Sequence, residues 1–429
     1  MPDSAMPVAG PILILDGGIL DGCIHLLIDG RDVVRGPLGV LLYLLLAPGY
    51  WFVPAGRRAA YLAGSSLLLA ALTLGPAYAL TIALIAAGTL AVIRLTGSPH
   101  RQWLGAMLLA AGLAAILGKP DLPWLPAVPP AEPVFFYAHW AGLAYLFIRA
   151  WQVLADTAAG RLDRIRAEDF WAFMLLAPTL RMGPIYRYQE FCRQMEEGPR
   201  RHRDLLGAAT RLLTAMLRLG VMAVMIDRLR LEQVYADPGS FGTAHLLAAV
   251  YLGPITFFLW MSGYVDLCVA VGRVTGLAVP DNFNYPWIAG NIAEFWQRWH
   301  ITLSRWLRDY MFMPMVRRRW PPALCFLLTF GFCGLWHGPR ACFVVWGLLQ
   351  GAALAARRQW VDFWKTRRAR GSKVYALLRG AGLAGGRTGW VLAWLLTFHF
   401  LVLSITLALD FHHAGVRLYA ELLARAAGR

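Results

Sequence analysis

Two histidines, His300 and His337, stand out in the stretch DNFNYPWIAGNIAEFWQRWHITLSRWLRDYMFMPMVRRRWPPALCFLLTFGFCGLWHG at positions 281–338. An apolar run of lipid-spanning length separates them. Ionisable groups at membrane depth are costly, so one found there marks a functional site by default. A neutral imidazole takes a proton from a hydroxyl or holds a nucleophile in place. An apolar tunnel with one or two histidines therefore suits transfer of an acyl group from a thioester to a hydroxyl. The plain alternative for each is an interfacial or core histidine satisfied by a hydrogen bond. Competing chemistries lack their residues: there is no GxSxG elbow, no GxxxxGK[ST] loop and no HExxH. The six cysteines, Cys23, Cys192, Cys268, Cys325, Cys333 and Cys342, form no CxxC pair and read as small core residues, not metal ligands.

The elements that carry the histidines follow from local pattern. Over 291–310, Ile292, Phe295, Trp296, Trp299, Leu303, Trp306, Leu307 and Tyr310 recur at helical spacing and predict one amphipathic helix. Asn291 is its expected N-cap, with Glu294 closing a capping box. Glu294–Arg298 and Arg305–Asp309 stand as acid-before-base pairs four residues apart. This helix lies along an interface or lines a wet cavity, with His300 beside Gln297 and Ser304 at the edge of the apolar stripe. His337 is bracketed almost symmetrically by Arg319 and Arg357, so the chain enters the membrane and returns. Gly334, Gly338 and Pro339 permit a tight turn there, leaving His337 at mid-depth or near the far turn.

The composition fits a membrane setting. Of 429 residues, 58% are hydrophobic and 15% charged, against about a quarter charged in soluble domains. Apolar segments near 38–53, 60–74, 76–95, 102–118, 133–155, 169–186, 207–227, 244–271, 321–336, 341–356 and 388–411 predict an all-α polytopic membrane protein with about eleven transmembrane or re-entrant helices. The net charge of +16 gathers between these segments, at Arg57/Arg58, 161–166, 187–203, 317–319 and 357–373, as the positive-inside rule requires of cytoplasmic loops. With no hydrophilic domain to present a basic face, nucleic acid is not an expected partner. The proline-rich loop 119–133 is placed outside. Residues 1–36 read as an N-terminal arm without a secretory signal, and 1–429 as one membrane domain.

Four ordered blocks then carry a resemblance. They are PTLRMGPIYRYQEF at 178–191, FFLWMSGYVDLCVAVGRVTGL at 257–277, the run NFNYPWIAGNIAEFWQRWHITLSRWLRDYMFMPM, and GLWHG followed by VVWGLLQG. Together they resemble the bacterial branch of the membrane-bound O-acyltransferase family, over roughly 133–356, which would form the catalytic core. The resemblance implies helices ringed around a central funnel, with donor entering from the cytoplasm and acceptor on the other side of a cytoplasmic (inner) membrane. It maps the family's intramembrane histidine onto His337, as general base or orienter of the attacking hydroxyl. The second histidine maps onto His300, positioning donor or acceptor. Asn282, Trp296, Arg298, Trp299, Ser304, Asp309 and Trp336 are then candidates for the funnel wall.

The resemblance implies no bound cofactor or metal. The acyl donor is a thioester, either acetyl-CoA or a D-alanyl phosphopantetheinyl carrier protein. One arm of the branch acetylates alginate, cellulose or peptidoglycan through a periplasmic SGNH-type transferase; the other passes D-alanine to teichoic acid. GLAYLFIRAWQVLADTAAGRLDRI and the compact length lean to the second arm, whereas the Ala- and Arg-rich composition leans away from it. The donor therefore stays open. The basic run 357–373 is expected to contact anionic lipid, or to dock an acidic carrier protein. Two readings from other classes stand beside the enzyme: a non-catalytic membrane scaffold, and a glycan transporter or flippase.

Overall fold

The computed structural model describes residues 39, 41–95, 133–162, 164–180, 182–199, 203–338, 341–381, 386–408 and 414–428. In the helix that starts at Pro133, side chains are described from position 142 onward. The N-terminal arm, the segment 102–118, the proline-rich loop up to 132, Cys23 and Pro339 lie outside these residues. Every regular element among the described residues is helical. Pro76–Leu95, Leu205–Arg228, Thr243–Thr275 and Arg387–Ala408 are long and apolar enough to cross a membrane, which makes this a multi-pass membrane protein. Leu41–Phe52 and Pro322–His337 are shorter apolar helices. The apolar run 169–186 does not form one span; it breaks into Ala167–Leu175 and Ala177–Leu180 and then an irregular loop.

The helix ends follow local chemistry. Asp204 caps the Leu205–Arg228 helix by accepting from the Gly207 N–H at 2.8 Å. The Thr243–Thr275 helix runs through Pro254 and stops at Gly276, whose φ of +84° suits a residue without a Cβ. A Cβ there would also strike the Pro199 backbone.

The hairpin that carries His337 is built from Pro322–His337 and Ala341–Ala369. Its first helix has 16 residues, about 24 Å at 1.5 Å per residue, and falls short of a hydrocarbon core of about 30 Å. Arg317–Arg319, all exposed, shortly precede it. A glycine seam holds the two helices in near-backbone contact: a Cβ on Gly347 would meet the Phe330 carbonyl oxygen at 2.1 Å, and one on Gly351 the Phe326 oxygen at 2.7 Å. Gly347 and Gly351 are four apart, the small-residue spacing that lets helices approach closely in lipid, where packing replaces the hydrophobic driving force. The second helix continues through Ala369, so the first part of the basic run 357–373 is helical.

Two of the three buried apolar clusters bear on the site. One gathers Tyr43, Tyr50, Phe170, Phe173 and Phe191 with the helices near the N-terminal half; the other gathers Phe295, Trp296, Trp299, Trp306, Trp336 and Trp346. Both histidines border the second.

Candidate functional site

His300 does not lie within a continuous helix. The expected helix over 291–310 is two, Ile292–Arg298 and Ile301–Leu307, and His300 sits at the break with φ of 42°. The cause is the neighbouring segment 282–284. Asn284 N–H donates to the Arg298 carbonyl at 2.9 Å, and Ile301 N–H donates to the Asn282 carbonyl at 2.9 Å. These bonds take groups a continuous helix would have used internally. The Asn282 side chain, fully buried, reinforces the new start: its Oδ1 accepts from the Thr302 N–H at 3.1 Å and the Thr302 hydroxyl at 2.6 Å. Ile185 N–H in turn donates to that hydroxyl at 2.9 Å, tying in the 182–187 loop. The left-handed conformation costs a non-glycine residue on the order of 1–3 kcal/mol, and this lattice of bonds holds it.

The break turns the imidazole inward. His300 is 2% exposed, and its Nε2 lies 3.0 Å from the Tyr145 hydroxyl. Tyr145 packs against Trp336 with ring centroids 5.3 Å apart. The Trp336 indole N–H donates to the Ala144 carbonyl at 3.0 Å, and its ring meets His337 edge-on at 4.8 Å. The sequence-predicted pair is thus joined by His300–Tyr145–Trp336–His337. His337 is half-buried at the end of its helix, flanked by Trp346 at 5.3 Å and Phe343 at 6.2 Å. Three buried nitrogens near this bridge, Asn282 Nδ2, His300 Nδ1 and Trp346 Nε1, have no partner among the described residues. Each unmet polar atom costs about 1–3 kcal/mol, the kind of cost functional sites carry.

The other predicted site residues divide. Trp296 and Trp299 belong to the same buried cluster: Trp296 donates to Gln350 Oε1 at 3.3 Å, and Trp299 stacks on Phe295 at 5.4 Å. Arg298 faces the rim, paired with Glu294 at 2.9 Å and donating to the Asn284 carbonyl. Ser304 is part-buried and donates to the Trp299 carbonyl at 3.1 Å, across the break. Asn291 caps as expected, but Glu294 reaches back to the Gly290 N–H and not to the cap residue itself. The expected Arg305–Asp309 pair does not form. A widened π turn at Arg308–Phe312 shifts the register, and Asp309 pairs with Arg187 and Arg308, both at 2.8 Å.

Composition alone did not single out several buried polar residues. Asp156, 1% exposed, accepts from Tyr310 at 2.9 Å, Gln189 at 2.7 Å and Arg161 at 2.5 Å. Burial pushes the Tyr310 phenol well above its ordinary range, so it stays a proton donor to that carboxylate. Arg149, also 1% exposed, donates to the Phe173 and Met174 carbonyls at 2.9 Å and to Thr179 at 2.6 Å, closing the end of the Ala167–Leu175 helix. Asp266 is buried between Arg211 and Arg218. The readable signal was an ionisable residue inside an apolar run. Tyr145 carried no such signal.

Comparison with known proteins finds relatives among bacterial envelope acyltransferases. The chain is 29% identical over 221 residues to the probable alginate O-acetylase of Azotobacter vinelandii, covering 51% of this chain and 44% of that protein. It is 30% identical over 246 residues to the peptidoglycan O-acetyltransferase of Helicobacter pylori, covering 55% and 42%. It is 28% identical over 241 residues to the teichoic acid D-alanyltransferase of Streptococcus thermophilus, covering 52% and 58%. The matches thus span about half the length of these relatives. The sequence profile of the membrane-bound O-acyltransferase family matches residues 129–405, a stretch that takes in both histidines, the glycine-seamed hairpin and the aromatic cluster between them, and the chain belongs to that family.

Proposed function

We propose that this protein is an O-acyltransferase of the cytoplasmic (inner) membrane. It moves an acetyl or D-alanyl group from a cytoplasmic thioester toward a cell-envelope polymer. The observation that carries the reading is the aromatic bridge joining His300 to His337 inside the membrane-embedded part of the fold. His337 ends a helix too short to cross, beside a half-open edge, and suits the general base. It takes the proton of the attacking hydroxyl as the oxygen bonds to the acyl carbon, and returns it to the thiolate released when the C–S bond breaks. His300, more deeply buried, suits positioning of the donor. Asn282, Trp296, Trp299 and Trp336 form the inner wall; Arg298, Ser304 and Asp309 support the break and its rim.

The finer architecture belongs to the same proposal. About eleven helices ring a central funnel, 1–429 form one membrane domain, and 133–356 form its catalytic core. The donor is acetyl-CoA or an acyl carrier protein, and a periplasmic SGNH-type transferase completes delivery. Relatives named for alginate, peptidoglycan and teichoic acid leave the two donors equally supported. The basic helix end contacts anionic lipid: Arg358, Arg367, Arg368 and the exposed Trp360 and Phe363 combine charge with membrane-facing aromatics.

The test offers labelled acetyl-CoA and D-alanyl carrier protein, separately, to the full chain in nanodiscs, and reads thiol release and acyl transfer. Wild type is expected to use one donor, and His337→Ala to lose roughly 10²–10⁴-fold in rate. Undiminished transfer by His337→Ala refutes the base assignment; inertness toward both donors refutes the enzyme.

A further inference from the structure

Asn282 and His300 are both buried, both adjoin the break in the chain, and both have a nitrogen without a partner among the described residues. Their other side-chain heteroatoms and their carbonyls are engaged. Asn282 Oδ1 holds Thr302, and its carbonyl holds the Ile301 N–H. The carbonyl of His300 accepts from the Ser304 N–H at 2.9 Å, and Nε2 faces Tyr145. What is left over is one nitrogen on each side chain, on residues linked through consecutive backbone contacts.

The state of the ring follows from Tyr145. A phenol is a better donor than acceptor, and a neutral imidazole nitrogen accepts through its lone pair. The hydroxyl therefore donates to Nε2, which leaves the ring proton on Nδ1. We infer that Tyr145 is a positioning residue that locks His300 in its Nδ1–H form, so that His300 Nδ1–H and the Asn282 amide N–H together make a donor pair for the carbonyl oxygen of the acyl thioester. For the identity of this ligand the inference rests on the acyl-transfer reading; for the state of the ring it does not.

The chemistry fits the site. As a hydroxyl adds to a thioester, negative charge grows on the carbonyl oxygen, and fixed N–H donors in a dry site stabilise it without reorganising. Two donors with no other partner suit an oxygen acceptor. They do not suit a cation, which needs lone pairs, or an ammonium, which brings only more donors. A D-alanyl group would therefore enter carbonyl first, with its amine turned away from Asn282 and His300. The rings of Tyr145 and Trp336 connect this pair to His337 by direct contact.

The test uses the full chain in nanodiscs with ¹⁵N-labelled histidine, the His300 signals assigned by comparison with His300→Gln. The expected wild type carries its proton on Nδ1 alone. Tyr145→Phe, which keeps the ring against Trp336, should give a mixture of both tautomers and lower kcat about 10–100-fold with KM nearly unchanged. Acetonyl-CoA, a ketone that keeps the carbonyl but cannot be cleaved, should shift the Nδ1 signal, whereas S-propyl-CoA should not. If the protein turns over only the D-alanyl donor, the corresponding ketone and alkyl phosphopantetheine compounds replace these probes. A wild-type proton on Nε2, an unchanged tautomer in Tyr145→Phe, or saturating ketone without a shift at Nδ1 overturns the inference. A protein inert to both donors, with the tautomer still set by Tyr145, refutes the acyl-transfer reading and with it the ligand, while the positioning role of Tyr145 is upheld.

Discussion

Three glycines on the hairpin that holds His337 set up a graded test of how that histidine is positioned. A Cβ added at Gly347 would lie 2.1 Å from the Phe330 oxygen, at Gly351 2.7 Å from the Phe326 oxygen, and at Gly331 3.3 Å from a Leu348 methyl. Restoring ordinary contact of 3.4 Å needs a shift of about 1.3 Å, about 0.7 Å and about 0.1 Å respectively. The first two obstacles are backbone and cannot rotate away; the third is the end of a flexible side chain. Each Gly→Ala change also gains about 1 kcal/mol of helix propensity. Set against overpacking of about 1–3 kcal/mol or more, the net effect should be a loss of about 2 kcal/mol or more for Gly347→Ala, about 1 kcal/mol for Gly351→Ala, and a neutral or slightly stabilising change for Gly331→Ala. Thermal unfolding of the three variants in one lipid composition reads the order. Acyl transfer should fall in the same order, because Gly347 adjoins Trp346, whose ring lies 5.3 Å from His337. A Gly347→Ala protein that melts at or above wild type, or an inverted order, would show that the seam does not set the hairpin.

Three further outcomes test the supports of the site. Asn282→Ala removes two buried acceptor contacts to Thr302 and strands its N–H, so stability should drop by about 2–4 kcal/mol in denaturant titration; an unchanged midpoint would disprove its anchoring role. Arg149→Met leaves the Phe173 and Met174 carbonyls and the Thr179 hydroxyl without their donor, and should loosen Ala167–Leu175 in amide exchange; full protection there would count against it. Asp156→Asn and Asp309→Asn form a matched pair. The first disturbs a carboxylate with three donors at 1% exposure and should cost about 3–5 kcal/mol, the second an ion pair at 38% exposure and should cost about 1 kcal/mol or less. Equal costs would mean that burial does not decide the difference.

Much of the architecture was legible because lipid enforces a simple code. Apolar runs of spanning length and basic runs between them gave the helices at 76–95, 205–228, 243–275 and 387–408 to within a few residues. The capping role of Asn291 and the Glu294–Arg298 pair were likewise local, set by spacing along one turn or two. What the pattern could not carry was competition from distant chain. The stripe from Ile292 to Tyr310 is a good helical stripe, and nothing in it forbids continuity. The break at His300 is imposed by Asn282 and Asn284, which take the Ile301 N–H and the Arg298 carbonyl from outside the window in which periodicity is read. The lost Arg305–Asp309 pair has the same origin, since a π turn and Arg187, remote in sequence, decide where Asp309 goes. Tyr145 was invisible for a different reason: one tyrosine among the aromatics of an apolar helix has no pattern to mark it, and only its 3.0 Å approach to His300 distinguishes it.

The break itself explains why the two histidines can cooperate. In an unbroken helix the stripe would bury Trp299 and Leu303 and leave His300 at its edge, facing the polar side with Gln297 and Ser304. Reversing φ at a single residue redirects the chain, so Trp299 and His300 both become buried although they are adjacent in sequence. The cost is a strained residue, and the structure offsets it with bonds from Asn282, Thr302 and Ser304 before any substrate arrives. The strain is therefore part of what holds His300 against Tyr145, and so in contact, through Tyr145 and Trp336, with His337. A histidine at the same sequence position on a regular helix would keep its identity and lose its place.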